Sequence, residues 1–323
     1  MTTNLPAFAD VEAAQGLIGA HLAPTPLVHC YKLSQLLGCE YHAKCENLQP
    51  VGAFKVRGGV NLIGRLSPAE RQRGVISAST GNHGQSLAYA GRIFGVPVVI
   101  YGPKHNSNSA KVAAMRALGA EVRLFGRDFD EAREEVERVA QGEGYRYVHS
   151  ANEPHLIAGV GTMGLEIFAA LPDAEALIVP VGAGSGICGN ALVARQLSPA
   201  VEIIGVQTEG APACYRAWQQ RRLDVVAPMT TRHEGLATRV TFEMPTRMMW
   251  ELVDRFELVT DEEIDAAIGL LAREAKLIAE GAGAASLAAA LKIRDSLAGK
   301  KVVGILSGGN APADHLAQIL QNG

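Results

Sequence analysis

The sequence predicts an α/β protein built of two lobes with a cleft between them. Short apolar runs of strand length alternate with helical patterns along most of the chain, which is typical of parallel sheets covered on both faces. The 323 residues, 48% of them hydrophobic and 20% charged, suffice for two domains or for one large domain with an inserted lobe. Such sheets bind ligands beyond the carboxyl ends of their strands.

The predicted elements follow in a regular order. The first part should hold a helix over residues 11–18, an extended segment over 24–28, a helical turn over 33–37, a strand over 40–45 and a helix over 56–66. Strands over 75–77, 96–101, 121–125 and 145–149 then alternate with helices over 82–94, 109–118 and 129–141. The second half should hold helices over 157–170, 248–254, 282–297 and 313–321, one ending at 196 and one beginning at 261, with strands over 176–181, 201–206, 256–259 and 301–306.

Local signals support these boundaries. Pro24 and Pro26 exclude a helix from the extended segment, because proline lacks a backbone N–H and restricts the residue before it. Gly38 and Gly119 stand where two predicted helices end. The acidic run 261–263 matches the positive end of the helix that it begins.

Composition excludes several classes of function. The net charge of −3 and the pI of about 6.3 give no electrostatic footprint for nucleic acid. The N-terminus lacks a basic region followed by an apolar core, and the uncharged run 176–194 contains Pro180 and four glycines, so neither a signal peptide nor a membrane span is expected. Five cysteines without metal-finger spacing predict reduced thiols in a cytoplasmic protein.

One lysine stands in an unusual setting. Lys55 lies between Phe54 and Val56, with Gly52 before it and a glycine pair at 58–59 after it. Glycines let the backbone approach a bound group, and apolar neighbours remove water from the amine. Desolvation lowers the pKa of a lysine and makes it a usable nucleophile and base. The alternative is a solvated lysine at the start of a surface helix.

Three turns follow apolar strands and could hold an anionic ligand. Residues 181–190 form a glycine-rich turn before a helix, where free N–H groups can cradle a phosphate; a plain tight turn is an equal alternative. Gly184, Gly186 and Gly189 also match the dinucleotide fingerprint, with Glu209 as a ribose partner. Residues 77–85 could hold a carboxylate, or Ser79 or Thr80 could simply cap the helix there. The third turn, 307–310, ends the last strand.

Taken together, these segments resemble the fold type II pyridoxal-phosphate enzymes, and most of all the threonine dehydratase and serine racemase group. Residues 47–49 and 53–58 resemble the cofactor-lysine motif, 79–85 the substrate-carboxylate loop, 182–186 the phosphate loop and 307–310 the segment under the pyridine nitrogen. Further shared phrases are residues 149–161, 252–254 and 261–262, so the resemblance spans nearly the whole chain.

The resemblance implies the tryptophan synthase β-like fold, two three-layer α/β lobes with the active site in the cleft. The large pyridoxal-phosphate-binding domain would comprise residues 1–73 and 149–323, the small domain 74–148, and the chain would form a homodimer or higher oligomer. Because no residues follow the last predicted helix by more than a few positions, we expect the catabolic type, without a regulatory domain.

The resemblance also assigns roles to residues. The cofactor is pyridoxal 5'-phosphate; Lys55 forms the Schiff base, Asn82 bonds the 3-oxygen of the ring, and Ser307 lies at the pyridine nitrogen. Phe54 packs beside the ring and Gly235 lines the pocket, while the phosphate is wrapped by Gly182, Ala183, Gly184, Ser185 and Gly186. The catalytic residues would be Lys55 and Thr80, and the substrate would bind at Ser79, Thr80, Gly81, Asn82 and His83.

Several positions depart from the group. Ala183 and Ser185 interrupt a loop that is usually glycine throughout, although the Ser185 hydroxyl can donate to a phosphate. Thr80 stands where many threonine dehydratases have alanine and serine racemase has an acid/base serine, and its extra methyl disfavours racemisation. Gln207 and Ala213 stand where relatives with a divalent cation have acids, so no metal is expected.

The implied reaction is elimination and deamination of an L-β-hydroxy amino acid, such as threonine or serine, to a 2-oxo acid and ammonia. Lys55 would remove the α-proton. Because Ser307 is neutral and does not keep the pyridine nitrogen protonated, prompt loss of the β-substituent is favoured over transamination. Alternatives are a serine or aspartate racemase, a dehydratase of a bulkier substrate (3-hydroxyaspartate, phenylserine or a compound derived from hydroxyectoine) with Arg239 or residues 241–244 selecting it, and an NAD-dependent dehydrogenase.

Overall fold

Two β-sheets organise the molecule. The computed structural model describes residues 5–79, 81–104, 109–127 and 129–322. Within these ranges there are ten strands, β1 to β10 in chain order: Leu27–His29, Glu40–Cys45, Val75–Ala78, Val98–Gly102, Glu121–Leu124, Arg146–Tyr147, Ala176–Pro180, Glu202–Thr208, Arg255–Val259 and Lys301–Leu306. Six form a sheet in the order β1-β2-β10-β7-β8-β9, and four form a second sheet in the order β5-β4-β3-β6.

Helices cover both sheets. The described ranges contain fifteen α-helices, α1 to α15 in chain order: Phe8–Gly19, Tyr31–Leu37, Lys55–Gly64, Pro68–Arg73, Asn82–Phe94, Ser109–Ala117, Phe129–Glu143, Pro154–Ala170, Ser185–Leu197, Ala213–Gln220, Glu243–Leu252, Asp261–Leu270, Gly281–Lys292, Arg294–Leu297 and Ala313–Asn322. We call the four-stranded sheet with its helices the small lobe and the remainder the large lobe.

The apolar core lies on both faces of each sheet. One cluster of buried side chains joins β2, β7 and β10 to α2, α12 and α13, and a second joins the other face of the large sheet to α8 and α9. A third cluster packs α3 and α5 against the small sheet, whose other face is covered by α7. Each lobe is therefore three layers thick, as predicted.

Helix α3, which begins at Lys55, is clamped between the lobes. A Cβ atom on Gly59 would lie 2.6 Å from the backbone oxygen of Ser86 in α5, and one on Gly58 would lie 2.9 Å from that of Leu156 in α8. Only glycine allows such close approach of two backbones. The glycine pair that follows the lysine therefore serves helix packing.

The parallel strands of the large sheet bring distant loops together. Strands β2, β10 and β7 are neighbours and run parallel, so their carboxyl ends share one edge of the sheet. The segment that leads to Lys55 follows β2, Ser307 follows β10, and the glycine-rich turn follows β7. This edge is where the sequence predicts the ligand.

Some elements differ from the prediction. The extended segment at residues 24–28 contributes β1, which pairs antiparallel with β2, so the large sheet is mixed and not purely parallel. The predicted helix over 282–297 is split into α13 and α14 at Ile293. Helix α12 runs into a π-helical turn, Leu271–Ala275, and α4 and α10 were not predicted.

Candidate active site

Lys55 stands at the centre of the edge where the loops meet. Its Nζ donates a hydrogen bond to Ser185 Oγ at 2.8 Å and lies 5.1 Å from the centre of the Phe54 ring. The residue is half-buried, and desolvation of the amine lowers the pKa of Lys55 to about 8. A substantial fraction of the amine is therefore neutral near neutral pH, as a nucleophile or base requires.

The segment before Lys55 is paired with the end of the last strand. Phe54 donates its backbone N–H to the Ser307 oxygen at 3.0 Å, and Ala53 forms an isolated β-bridge with Gly308. A cavity of about 160 Å³ lies beside this pairing and is lined by Phe54, Gly186 and Ser307, among others. Three predicted cofactor residues, drawn from three separate segments, thus share one cavity.

The glycine-rich turn has the shape of an anion cradle. Gly184 has a left-handed backbone, with φ of 97°, and caps the N-terminus of α9. The first N–H groups of a helix have no partner within it, so they face whatever lies at its end. A Cβ atom on Gly182 would lie 2.5 Å from the Gly235 oxygen, so the turn tolerates no side chain there. The Ser185 hydroxyl, already bonded to Lys55, belongs to the same turn.

Asn82 begins α5 on the small-lobe side of the cleft and is held from two directions. Its Nδ2 donates to Glu280 Oε1 at 2.5 Å, and its Oδ1 accepts from Asn310 Nδ2 at 2.9 Å. Both partners belong to the large lobe. The side chain that is predicted to contact the cofactor is thus fixed by contacts between the lobes.

The loop before Asn82 is shaped by Ser79. The Ser79 hydroxyl accepts hydrogen bonds from the backbone N–H of Gly84 at 2.8 Å and of Gly81 at 3.2 Å. This is the capping role that the sequence allowed as an alternative. Thr80 lies outside the described residues. Contacts of Ser79 and Gly81 with a substrate remain a prediction.

His83 is held within the small lobe. Ser77 Oγ donates to the Val148 oxygen at 2.7 Å, so it accepts from His83 Nε2 at 3.1 Å. Burial lowers the pKa of His83 to about 3, which keeps the ring neutral. A structural hydrogen bond accounts for this histidine, and its predicted substrate contact remains untested.

A cleft of about 440 Å³ opens between the lobes beside this edge. Lys111 of α6 lines it from the small lobe, and Arg232, His233, Glu280 and Asn310 line it from the large lobe. Gly235 also borders the cleft, as predicted for a residue lining the pocket. Arg239, considered as a selector of the substrate, is exposed.

Comparison with known proteins identifies the family. A family model described as pyridoxal-phosphate dependent enzyme matches residues 18–308. The chain belongs to this family. Among curated relatives, it is 41% identical to the L-threonine ammonia-lyase of Thermotoga maritima over 97% of this chain and 78% of that protein. It is 35% identical to the catabolic L-threonine dehydratase of Staphylococcus aureus over 100% of this chain and 94% of that protein.

Solved structures agree with this assignment. The processed form of threonine deaminase isoform 2 from Solanum lycopersicum superposes with a TM-score of 0.90 at 33% identity, over 97% of this chain and 91% of that one. Maize serine racemase superposes with a TM-score of 0.92 at 28% identity, over 98% and 97%. The predicted fold type II class is confirmed, and the family assignment decides against an NAD-dependent dehydrogenase.

The residues present fit pyridoxal phosphate, the cofactor of this family. Its phosphate arm and its aldehyde are on neighbouring ring carbons, and here the amine of Lys55 lies 2.8 Å from a hydroxyl of the glycine-rich turn. The turn supplies N–H groups to an anion, and Gly182 leaves room that a Cβ atom would fill. The amine and the anion cradle are therefore spaced as the connectivity of the cofactor requires.

Sequence reasoning missed two residues of this site, Glu280 and Lys111. Glu280 stands in the phrase Ala279-Glu280-Gly281, where an acid before a glycine-rich helix start was a usable signal. Lys111 carried none, because only the fold brings α6 over the cleft. Asn310 was part of a motif but received no role.

Other expectations can be compared with the described residues. Gln207 and Ala213 are both buried, and in the described ranges no group of three or more His, Cys, Asp and Glu side chains could hold a metal ion. All five cysteines are buried and free of disulfides. Across the ranges that the structure describes, no helix is long and apolar enough to span a membrane.

Proposed function

We propose that this enzyme converts an L-β-hydroxy amino acid, in the first place L-threonine, into the 2-oxo acid and ammonia. The observation that carries the proposal is the amine of Lys55, desolvated and 2.8 Å from the phosphate turn. Curated relatives at 35–41% identity over the whole chain are named L-threonine ammonia-lyase and L-threonine dehydratase, which supports threonine as the first substrate to test.

Pyridoxal phosphate, when bound, withdraws electrons from the α-carbon of an amino acid and thereby acidifies its α-proton. The neutral amine of Lys55 accepts that proton at Nζ, and Ser185 Oγ holds the amine in place. Ser79, Asn82 and the N–H groups at the start of α5 bind the substrate carboxylate, which orients the α-proton toward Lys55. The β-hydroxyl leaves as water, and hydrolysis after release gives the 2-oxo acid and ammonia.

Neighbouring residues control which bond breaks. Ser307 offers a neutral hydroxyl near the predicted position of the ring nitrogen and is 5% exposed. The absence of a carboxylate on this residue favours rapid loss of the β-hydroxyl over longer-lived carbanion chemistry. The division into a small domain of residues 74–148 inserted in a large one places α5 and its carboxylate-binding loop on the side facing Lys55.

A substrate panel tests the proposal. Purified enzyme with pyridoxal phosphate is assayed for 2-oxo acid and for ammonia with both enantiomers of threonine, serine, 3-hydroxyaspartate and phenylserine. We expect equal amounts of both products from L-threonine and L-serine, and none from the Lys55→Ala variant. Inversion of configuration without ammonia would replace the proposal by a racemase, and a product only from the larger substrates would replace it by their dehydratase.

We further propose a homodimer or higher oligomer in the cytoplasm, as the family resemblance implies. Light scattering of the loaded enzyme gives the molar mass directly. A mass near twice the chain mass of 34.1 kDa, or a higher multiple, is the expected result. A monomer at micromolar concentration would contradict it.

A further inference from the structure

Glu280 is a buried acid that the residue assignments above leave without a role. It stands just before α13, is 6% exposed, and receives one donor from each of two small-lobe helices. Its Oε1 accepts from Asn82 Nδ2 at 2.5 Å, and its Oε2 lies 3.8 Å from Lys111 Nζ. A buried carboxyl group needs such partners to offset its desolvation.

The large lobe is built to make room for this carboxyl group. A Cβ atom on Gly308 would lie 2.3 Å from Glu280 Oε1, and the Gly308 oxygen accepts the backbone N–H of Glu280 at 3.0 Å. A Cβ atom on Gly283 would in turn lie 2.2 Å from the Gly308 oxygen. The glycine that follows Ser307 therefore leaves the space in which the Glu280 carboxyl group sits.

The contact with Glu280 determines how the Asn82 amide is turned. Asn310 Nδ2 donates to Asn82 Oδ1, so the oxygen of the amide faces Asn310 and its nitrogen faces Glu280. An amide nitrogen carries two N–H groups, and Glu280 accepts one of them. The second N–H remains for an oxygen of the cofactor, the partner predicted for Asn82.

We propose that Glu280 is a positioning residue for the cofactor: its carboxyl group orients the Asn82 amide so that the second N–H can bond the 3-oxygen of pyridoxal phosphate. The inference rests on the proposed role of Asn82 at the cofactor. It assigns Glu280 no contact with the reacting atoms.

Electrostatics favours an acceptor at this position in either protonation state. Burial raises the pKa of Glu280, while the Lys111 ammonium acts in the opposite direction. A carboxyl group keeps an acceptor oxygen whether or not it is ionised, and so does the amide of glutamine. Glutamine should therefore replace Glu280 in this role, whereas alanine should not.

Cofactor affinity of the unloaded enzyme tests the proposal without any amino-acid substrate. Pyridoxal phosphate is titrated into the wild type, Glu280→Ala, Glu280→Gln, Asn82→Ala and the double variant Glu280→Ala/Asn82→Ala, and the visible absorbance of the bound cofactor is followed. We expect Glu280→Ala to weaken binding about tenfold, the loss of one hydrogen bond to a charged group, and Glu280→Gln to stay within about threefold of the wild type. The double variant should bind no more weakly than Asn82→Ala alone.

Glu234→Gln is the matched control. Glu234 Oε2 is the closer carboxylate of Lys111, at 2.9 Å, and this variant removes its charge without touching Asn82. We expect its cofactor affinity to lie within about twofold of the wild type. A loss equal to that of Glu280→Ala would show that the effect runs through Lys111, which overturns the proposal.

Two other results would also overturn it: independent, multiplying losses from Glu280→Ala and Asn82→Ala, or unchanged affinity in Glu280→Ala. Circular dichroism of each unloaded variant reports folding, and if Glu280→Ala does not fold, Glu280→Gln and Glu280→Leu take its place, with loss expected only for leucine. An enzyme that binds cofactor as expected but does not release ammonia from threonine would contradict the proposed function and leave this inference standing.

Discussion

At the scale of single residues, the amine of Lys55 carries the chemistry. Its neighbours lower its pKa by desolvation to about 8, against about 10.4 for a lysine in water. The unprotonated amine is the reactive form, so a lowered pKa supplies more of it at neutral pH.

The lowered pKa predicts how cofactor loading depends on pH. The rate constant for the reaction of pyridoxal phosphate with the unloaded enzyme should rise about tenfold per pH unit below pH 8 and level off above it, because the neutral fraction of Lys55 follows that curve. Stopped-flow absorbance measures the rate. N-acetyl-lysine in solution is the control, and its rate should rise to about pH 10. An enzyme curve that follows the control would contradict the desolvated amine.

Residues near the lysine differ in how far the sequence could predict them. Lys55, the glycine-rich turn and Ser307 stand in short local motifs, so their roles could be proposed before any coordinates. Glu280 contacts Asn82 across 198 positions of sequence, and no local pattern encodes that contact. For His83, a polar helix start suggested a substrate contact, whereas the fold buries its ring against Ser77.

At the scale of elements, the turn between β7 and α9 is shaped by close backbone contacts. A methyl group on Gly182 would collide with the Gly235 oxygen at 2.5 Å, so the turn must shift to accept it. Gly182→Ala should therefore weaken binding of pyridoxal phosphate at least about tenfold, as expected when one charge-assisted hydrogen bond to the phosphate is lost. Equilibrium titration by absorbance measures the change.

Gly16→Ala in α1 is the matched control for that variant. No atom lies within 4 Å of the Cβ position of Gly16, and alanine is the better helix former. This variant should keep the cofactor affinity and gain about 0.5–1 kcal/mol in free energy of unfolding. Equal cofactor affinity in Gly182→Ala and the wild type would contradict a cradle formed by this turn.

Helix α3 is anchored by a buried ion network two residues after Lys55. Arg57, fully buried, donates two hydrogen bonds of 2.8 Å to Glu46, and bonds of 2.6 and 2.8 Å to Glu166, which Lys44 also contacts. The mutual charges raise the pKa of Arg57 and lower that of Glu46 against the opposing effect of burial. The network fixes the helix that carries the lysine to β2 and α8.

Arg57→Met should therefore destabilise the protein by about 3–5 kcal/mol, because it leaves two carboxylates in the interior without their cation. Urea unfolding of the unloaded enzyme measures the free energy. The control is Arg247→Met, which removes a surface pair with Glu243 one helical turn away and should cost less than about 0.5 kcal/mol. A loss below 1 kcal/mol for Arg57→Met would show that the network does not anchor the helix.

The sequence predicted most elements, and the omissions have physical reasons. Helix α4 begins with a Ser67 cap that Glu70 completes, with Pro68 at its first position; the signal was present, but the proline was interpreted only as the end of α3. Helix α10 has only eight residues, too few for a clear periodicity. The neighbouring positions of β2 and β10 depend on pairing across more than half the chain, which local patterns do not encode.

At the scale of the whole molecule, the two lobes meet at the cofactor site. The large lobe contributes Lys55, the glycine-rich turn and Ser307, and the small lobe contributes α5 with Asn82. Asn82 is held to the large lobe through Glu280 and Asn310, so a ligand bound here contacts a single joined unit.

Binding of the cofactor should accordingly stabilise the whole protein. At a free concentration one hundred times the dissociation constant, pyridoxal phosphate should add about 2.7 kcal/mol to the free energy of unfolding and raise the melting temperature by several degrees. Differential scanning calorimetry with and without cofactor measures the shift. An unchanged melting temperature, with binding verified in the same sample, would contradict a site formed by both lobes.

The most direct test of the account is to find the lysine that holds the cofactor. The loaded enzyme is reduced with borohydride, digested, and its peptides are mapped by mass spectrometry. We expect one pyridoxyl-labelled peptide, with the label on Lys55, and no labelled peptide from Lys55→Ala. A label on another lysine, such as Lys111 or Lys44, would contradict the central claim that the desolvated amine beside the phosphate turn carries the chemistry.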